Sequence, residues 1–420
     1  MTARLHRLAN GVTVICDPMP GLQSFALSVV AGRGARQEPP SRSGWSHLLE
    51  HMVFKGAGGR SALQIVEAIE GQGGSINAAT GHERTSFQVR SLAGGLELGL
   101  ATLADLVLRP ALDGGELERE KQVVAQEIAE AADTPDDQVF ELAQAAAFEG
   151  QPLGQPILGE AATVGAADPQ ALEAWRAGLY GPDRLVVSAA GAVDEDELLR
   201  LSEQAFGKAP GEPLPPPEPG VFVGGLRPAA RRLEQAHLVY YLPAAGVHDA
   251  HYYPLRLFAE ALGGGMSSRL FQEAREKRGL AYSIDAWSDI YADTGLLGVY
   301  AGCAAADAAE LARVAAGEIR SLAERIGDAE LARAKAQLKA NLFMAREAPL
   351  VRAEQAAGQA LLFGRLFAAE EMAQGIDAVT AADMSALGAR LLAPGLCAAA
   401  VLGPKAALPA AQVFEQALLH

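Results

Sequence analysis

The chain has 420 residues, half of them hydrophobic and a fifth charged, with a formal net charge of −16. That length predicts more than one domain, and the composition is that of a globular protein. The negative balance excludes nucleic acid and anionic membranes as main partners, because both select basic surface, and it is compatible with cationic peptides.

The chain opens on a hairpin pattern from Arg7 to Ile15, with Asn10-Gly11 at the turn. Phe25 to Ala31 reads as the next strand. A helix is predicted from about Ser43 to Lys55, stopped by Gly56, and another from Ser61 to Gln72. Ser75 to Ala79 and Thr85 to Ser91 read as paired strands around a polar turn. Helices rich in Ala, Leu and Glu are predicted over 94–108, 114–132 and 136–148, with a strand near Leu185 to Ala190.

Ala209 to Gly220 is proline-rich and predicts an extended linker. It separates an N-terminal domain (1–208) from a C-terminal one (221–420). Beyond it, strands are predicted at His237 to Leu242, 281–289 and 296–302, helices near 251–261 and 267–277, and mainly helical sequence to about 392. Strands first and helices afterwards, twice over, predict an α+β protein of two similar domains, each a mainly antiparallel sheet packed with helices.

Cys16, Cys303 and Cys397 are scattered, without a CxxC spacing, which fits free thiols in a reducing compartment. The first residues lack the apolar run of a secretory signal, and no window is long and apolar enough for a membrane span. A cytoplasmic location is therefore expected.

The chemistry concentrates in His47-Leu48-Leu49-Glu50-His51. On a helix, residues four apart share a face, so both imidazoles stand one turn apart with Glu50 beside them. Two neutral imidazoles bind zinc, and a neighbouring carboxylate takes a proton from bound water. The competing reading is a buried helix whose histidines are hydrogen-bonded core residues. Further on, Glu120 and Glu127 are two helical turns apart on one stripe. Glu127 could complete a His-His-Glu site, and Glu120 could then orient a ligand. A solvated acidic face is the alternative for that pair.

His47 to Gly56, followed 76 positions after His51 by Glu127, closely resembles the pitrilysin/insulinase family of inverted-motif zinc metallopeptidases. The similarity is greatest to the short-chain branch that includes the mitochondrial processing peptidase β subunit and its bacterial homologues. It spans nearly the whole chain. It implies that His47, His51 and Glu127 bind one Zn2+ per chain, that Glu50 is the general base, and that Glu120 lies behind the ligands.

The resemblance also assigns Arg275 and Tyr282, after the glycine run at Gly263, to the substrate backbone near the scissile carbonyl. Taken alone, both would be ordinary surface or core residues. The glycine run lacks the Gly-Lys-Ser/Thr ending of a phosphate loop, so nucleotide binding is rejected. In the family, the strand containing Asn77 and Ala79 pairs with extended substrate by strand addition. Asp137 and Glu141, four apart, correspond to acidic groups that receive a substrate arginine, although capping and surface roles suit them equally. His82, in the polar turn, is expected to be solvent-exposed.

The expected activity is zinc-dependent hydrolysis of unfolded peptides, basic ones among them, or presequence-like segments within a dimer chamber. The rival is a non-catalytic or partner-dependent subunit of a heterodimeric peptidase of the same fold. Retention of both the ligand set and the Arg/Tyr pair favours a homodimer.

Overall fold

A computed structural model describes residues 3–209 and 215–420. Pro210 to Leu214 of the expected linker lie outside the described residues. Two compact units are present, one made of 1–129, 156–218 and 343–368, the other of 130–155, 219–342 and 369–420.

The first unit is built on a six-stranded sheet. Its strands are β1 (Arg4–Arg7), β2 (Thr13–Pro18), β3 (Ser24–Ala31), β4 (Ser75–Thr80), β5 (Thr85–Leu92) and β6 (Leu185–Gly191). They lie in the order β1-β2-β6-β3-β5-β4, antiparallel throughout except that β2 and β6 run parallel. β3 and β6 are buried almost end to end, as strands covered on both faces must be. Edge strand β4 alternates between exposed and half-buried residues. Val14, Leu27, Val29, Phe87 and Val89 pack on one face against helix α1 (Trp45–Val53) and its neighbours. Leu117 and Val124 of helix α2 (Gly114–Asp133) join the same core.

The second unit carries a five-stranded sheet of β7 (Gly225–Ala230), β8 (Ala236–Ala245), β9 (Ala281–Ile290), β10 (Thr294–Cys303) and β11 (Ala398–Gly403). The order is β9-β10-β8-β11-β7, with only β11 and β7 parallel. Val139, Ala143, Ala146 and Ala147 of helix α3 (Pro135–Ala147) pack against Val239, Tyr241, Ala398 and Ala400 on one face of this sheet.

The expected α+β class and mainly antiparallel sheets are present in both units. The units do not follow the expected division at the linker. Helix α3, from the first half of the chain, packs on the sheet of the second unit. Helix α4 (Pro349–Phe363), from the second half, covers the free face of the first unit's sheet. Its Ala356 and Ala357 meet Ile15, Val30 and Val186. Arg352 grips Asp17 through two hydrogen bonds of 2.6 Å, and the Ser28 hydroxyl donates to Glu354 at 2.5 Å. A two-sided sheet needs a helix on each face, and in both units the other half of the chain supplies one.

Two further differences concern single elements. The helix expected at 267–277 winds wide over Phe271–Glu276, where the Lys277 N–H reaches back five residues to Gln272 O at 3.0 Å. Strand β11, Ala-Ala-Ala-Val-Leu-Gly, has helix-favouring composition, and pairing on both edges with burial on both faces overrides it.

Candidate metal centre

Helix α1 starts at Gly44, whose backbone is left-handed (φ 89°). A Cβ there would stand 2.5 Å from Leu158 O and 2.8 Å from the Gly159 Cα, so glycine is required on both counts. The helix has no side-chain cap of its own at that position. Instead the buried Glu38 carboxylate accepts from the Gly44 and Ser46 N–H groups at 2.8 and 2.6 Å, satisfying donors of the first turn. Burial still pushes Glu38 up to about 7. Trp45, Leu48, Leu49, Met52 and Val53 face the core. The remaining stripe presents His47, Glu50 and His51, as the three- and four-residue spacing requires.

On α2 the core-facing stripe reads Leu117, Glu120, Val124, with Glu127 a turn further along. Glu120 is only 4% exposed, so the solvated-face reading fails for it. Glu127 Oε2 lies 3.5 Å from His51 Nε2 and 3.8 Å from His47 Nε2. That oxygen is buried, although the Glu127 side chain as a whole is part-exposed, and it accepts no hydrogen bond from any described residue. Ligand atoms bonded at ~2.0–2.1 Å to a tetrahedral ion are about 3.4 Å apart. An oxygen left without a donor, facing two imidazole nitrogens at about that separation, fits a zinc ion and leaves a fourth position for water. His47, His51 and Glu127 are the metal-capable group found among the described residues.

Burial, and then the nearby His51, lower the His47 pKa to about 4, so this imidazole is neutral at neutral pH, as a ligand must be. His51 Nδ1 stands 3.1 Å from Glu120 Oε2, and Lys55 Nζ lies 2.7 Å from Glu120 Oε1. This chain of contacts orients the ligand ring. The Glu50 pKa is raised by burial, opposed first by the Thr80 hydroxyl, which donates to Glu50 Oε2 at 2.5 Å.

Asn77 and Ala79 lie on the exposed side of β4, at the sheet edge. Arg275 and Tyr282 belong to the second unit and come together there, with the guanidinium 6.0 Å from the Tyr282 ring and 4.8 Å from Phe271. Tyr282 is 77% exposed. Asp137 and Glu141 occupy the exposed side of α3, also in the second unit. Desolvation, and then the Asp137 charge, raise Glu141. His82 departs from expectation: it is half-buried, and burial followed by the Arg36 charge lowers its pKa to about 4. The motif reading did not single out Glu38, Lys55 or Thr80. Lys55 was within reach, being four residues after His51. Thr80 shares a strand with Asn77 and Ala79 but alternates to the opposite face. Nothing in the sequence marks Glu38.

Comparison with known proteins gives the family and the fold. The family pattern described as insulinase (peptidase family M16) matches residues 14–161, and that of the peptidase M16 inactive domain matches 166–338. An uncharacterized zinc protease of Rickettsia bellii is 35% identical over 401 residues, 95% of this chain and 97% of that one. A protease from Helicobacter pylori shares the fold with a TM-score of 0.88 at 20% identity, over 96% of this chain and 99% of that chain. A peptidase M16 inactive domain from Pseudomonas fluorescens does so with a TM-score of 0.89 at 18% identity, over 96% and 99%. With its His-His-Glu cluster on two helices packed against a six-stranded sheet, the chain belongs to the insulinase family, peptidase family M16.

Proposed function

We propose that this protein is a zinc-dependent endopeptidase for unfolded, basic peptides, with one Zn2+ per chain held by His47, His51 and Glu127. The observation that carries the reading is the convergence of two imidazole nitrogens and an otherwise unpartnered carboxylate oxygen, with Glu50 on the same helix stripe. The fold alone would not carry it, since a chain described as an inactive domain shares that fold. Bound zinc would polarise the scissile carbonyl and acidify a water molecule. Glu50 accepts the water proton and returns it to the leaving amine, and its partial burial makes it a better base than an exposed glutamate. Glu120 and Lys55 hold His51 in one orientation.

The free edge of β4, at Asn77 and Ala79, suits main-chain pairing with an extended peptide, which tolerates many sequences. Arg275 and Tyr282 are assigned to the substrate backbone, as donors of the kind that stabilise an oxyanion. Asp137 and Glu141 are assigned to a basic side chain of the substrate. Among the described residues no helix is long and apolar enough to cross a membrane, and all three cysteines are free and buried. A cytoplasmic homodimer enclosing a peptide chamber completes the proposal.

The test pairs zinc content with cleavage of quenched basic peptides by wild type and Glu50→Gln. Stoichiometric zinc in both, with cleavage by wild type alone, is the expected result. Zinc without cleavage by wild type would favour a partner-dependent subunit, and size analysis of the protein expressed alone would then show a monomer. No zinc uptake when the metal is supplied would overturn the reading.

A further inference from the structure

Thr80 is the last residue of β4 and pairs across the sheet with Thr85. Along β4, Asn77 and Ala79 point to the exposed side, whereas Ile76, Ala78 and Thr80 point inward. Ile76 and Ala78 pack on the hydrophobic core that contains α1. Thr80 occupies the next inward position and spends its hydroxyl proton on Glu50 Oε2 at 2.5 Å, the short end of the range for an O–H···O⁻ bond. The edge strand and the carboxylate on α1 are thus joined chiefly by this side-chain hydrogen bond, with a weaker contribution from the Thr80 backbone.

We infer that Thr80 is a positioning residue for Glu50, coupling the peptide-pairing edge of the first unit to its general base. This rests on the peptidase reading above. A carboxylate turns easily about its terminal bond, and the Thr80 hydroxyl on Oε2, assisted more weakly by the Thr80 backbone N–H, restricts that freedom and leaves Oε1 to take the proton. A peptide paired along the edge strand stiffens the end of that strand, and with it the Thr80 hydroxyl. Glu50 is therefore best ordered when substrate lies on the edge. The hydroxyl contributes to turnover and little to binding, because it touches the base and not the peptide.

Thr80→Val keeps the branched shape and removes the donor. Thr80→Ser keeps the donor and removes the methyl group. With zinc content and melting temperature monitored throughout, Thr80→Val should lower kcat by about 10- to 100-fold, the order of loss for a misplaced catalytic group, and leave KM within about 2-fold. Thr80→Ser should recover most of that loss. Crystal structures of the variants supply a readout independent of turnover: Glu50 should lose its single carboxylate orientation in Thr80→Val and keep it in Thr80→Ser. An unchanged kcat, a change confined to KM, or a serine variant as impaired as the valine variant would overturn the inference. So would an unaltered Glu50 orientation in Thr80→Val. If Thr80→Val melts early, Thr80→Ala against Thr80→Ser makes the same comparison. If wild type cleaves nothing, the peptidase reading fails, and the Glu50 orientations still decide the role of Thr80.

Discussion

Lys55 is paired with Glu120, its ammonium 2.7 Å from Oε1, while the other oxygen of the same carboxylate stands 3.1 Å from His51 Nδ1. A cation four residues beyond the second histidine thus compensates a buried acid that orients a ligand ring. Lys55→Met leaves Glu120 with the imidazole alone. Zinc affinity should fall by about 10-fold, toward the low end of the range for groups behind the ligands. Competition with a chromogenic chelator measures it, and Lys55→Arg should stay close to wild type.

Gly44 opens the metal-binding helix with a left-handed backbone, and the space for a Cβ is closed by Leu158 O and Gly159. Gly44→Ala should cost at least about 2 kcal/mol, combining the left-handed penalty with a displaced loop. The same substitution should weaken zinc binding, because His47 is three residues into the helix it disturbs. Urea denaturation of the metal-free protein reads the first effect, and chelator competition reads the second.

His82 is neutral in the folded protein, its pKa lowered from 6.5 to about 4 by burial and then by the Arg36 charge. The unfolded chain binds a proton there below pH 6.5 and the folded chain does not, so the stability contributed by this site falls as the pH drops from about 6.5 to about 4. The loss should be on the order of 2 kcal/mol. His82→Asn should flatten the pH dependence of the urea midpoint in that window. An equally steep profile would show that His82 does not titrate between the two states.

Arg352 holds Asp17, which is 2% exposed, through two hydrogen bonds, and so fastens α4 to the first unit's sheet. Arg352→Met leaves a buried carboxylate without its cation. The expected cost is about 3–5 kcal/mol, the range for breaking one side of a buried pair. Limited proteolysis should then cut first in the turn Arg346–Ala348 that precedes α4. Asp17→Asn with Arg352→Met should recover part of the stability, since it removes the orphaned charge.

Much of the local organisation was legible because it depends on short-range periodicity. The spacing of His47, Glu50 and His51 places three functional groups on one helical stripe wherever the helix packs. Ser75 to Ala79 and Thr85 to Ser91 were legible as paired strands from patterning around a polar turn, and the structure extends each by one residue. The β11 strand was not legible, because three alanines carry no strand signal until the sheet surrounds them.

The sequence by itself determined the chemistry available: two imidazoles and a carboxylate on one helix, with a pair of acids two turns apart on another. The family resemblance singled out Glu127 among many glutamates. Only the tertiary structure decided that Glu120 is buried behind His51 with Lys55, that Thr80 and not a neighbour holds Glu50, and that α3 and α4 exchange between the two units. The physical reason is range. Helical and strand periods repeat within two to four residues, whereas these contacts join residues 30 to 335 positions apart along the chain. Such pairs form only when burial of both sheet faces outweighs the entropy of closing the loops between them.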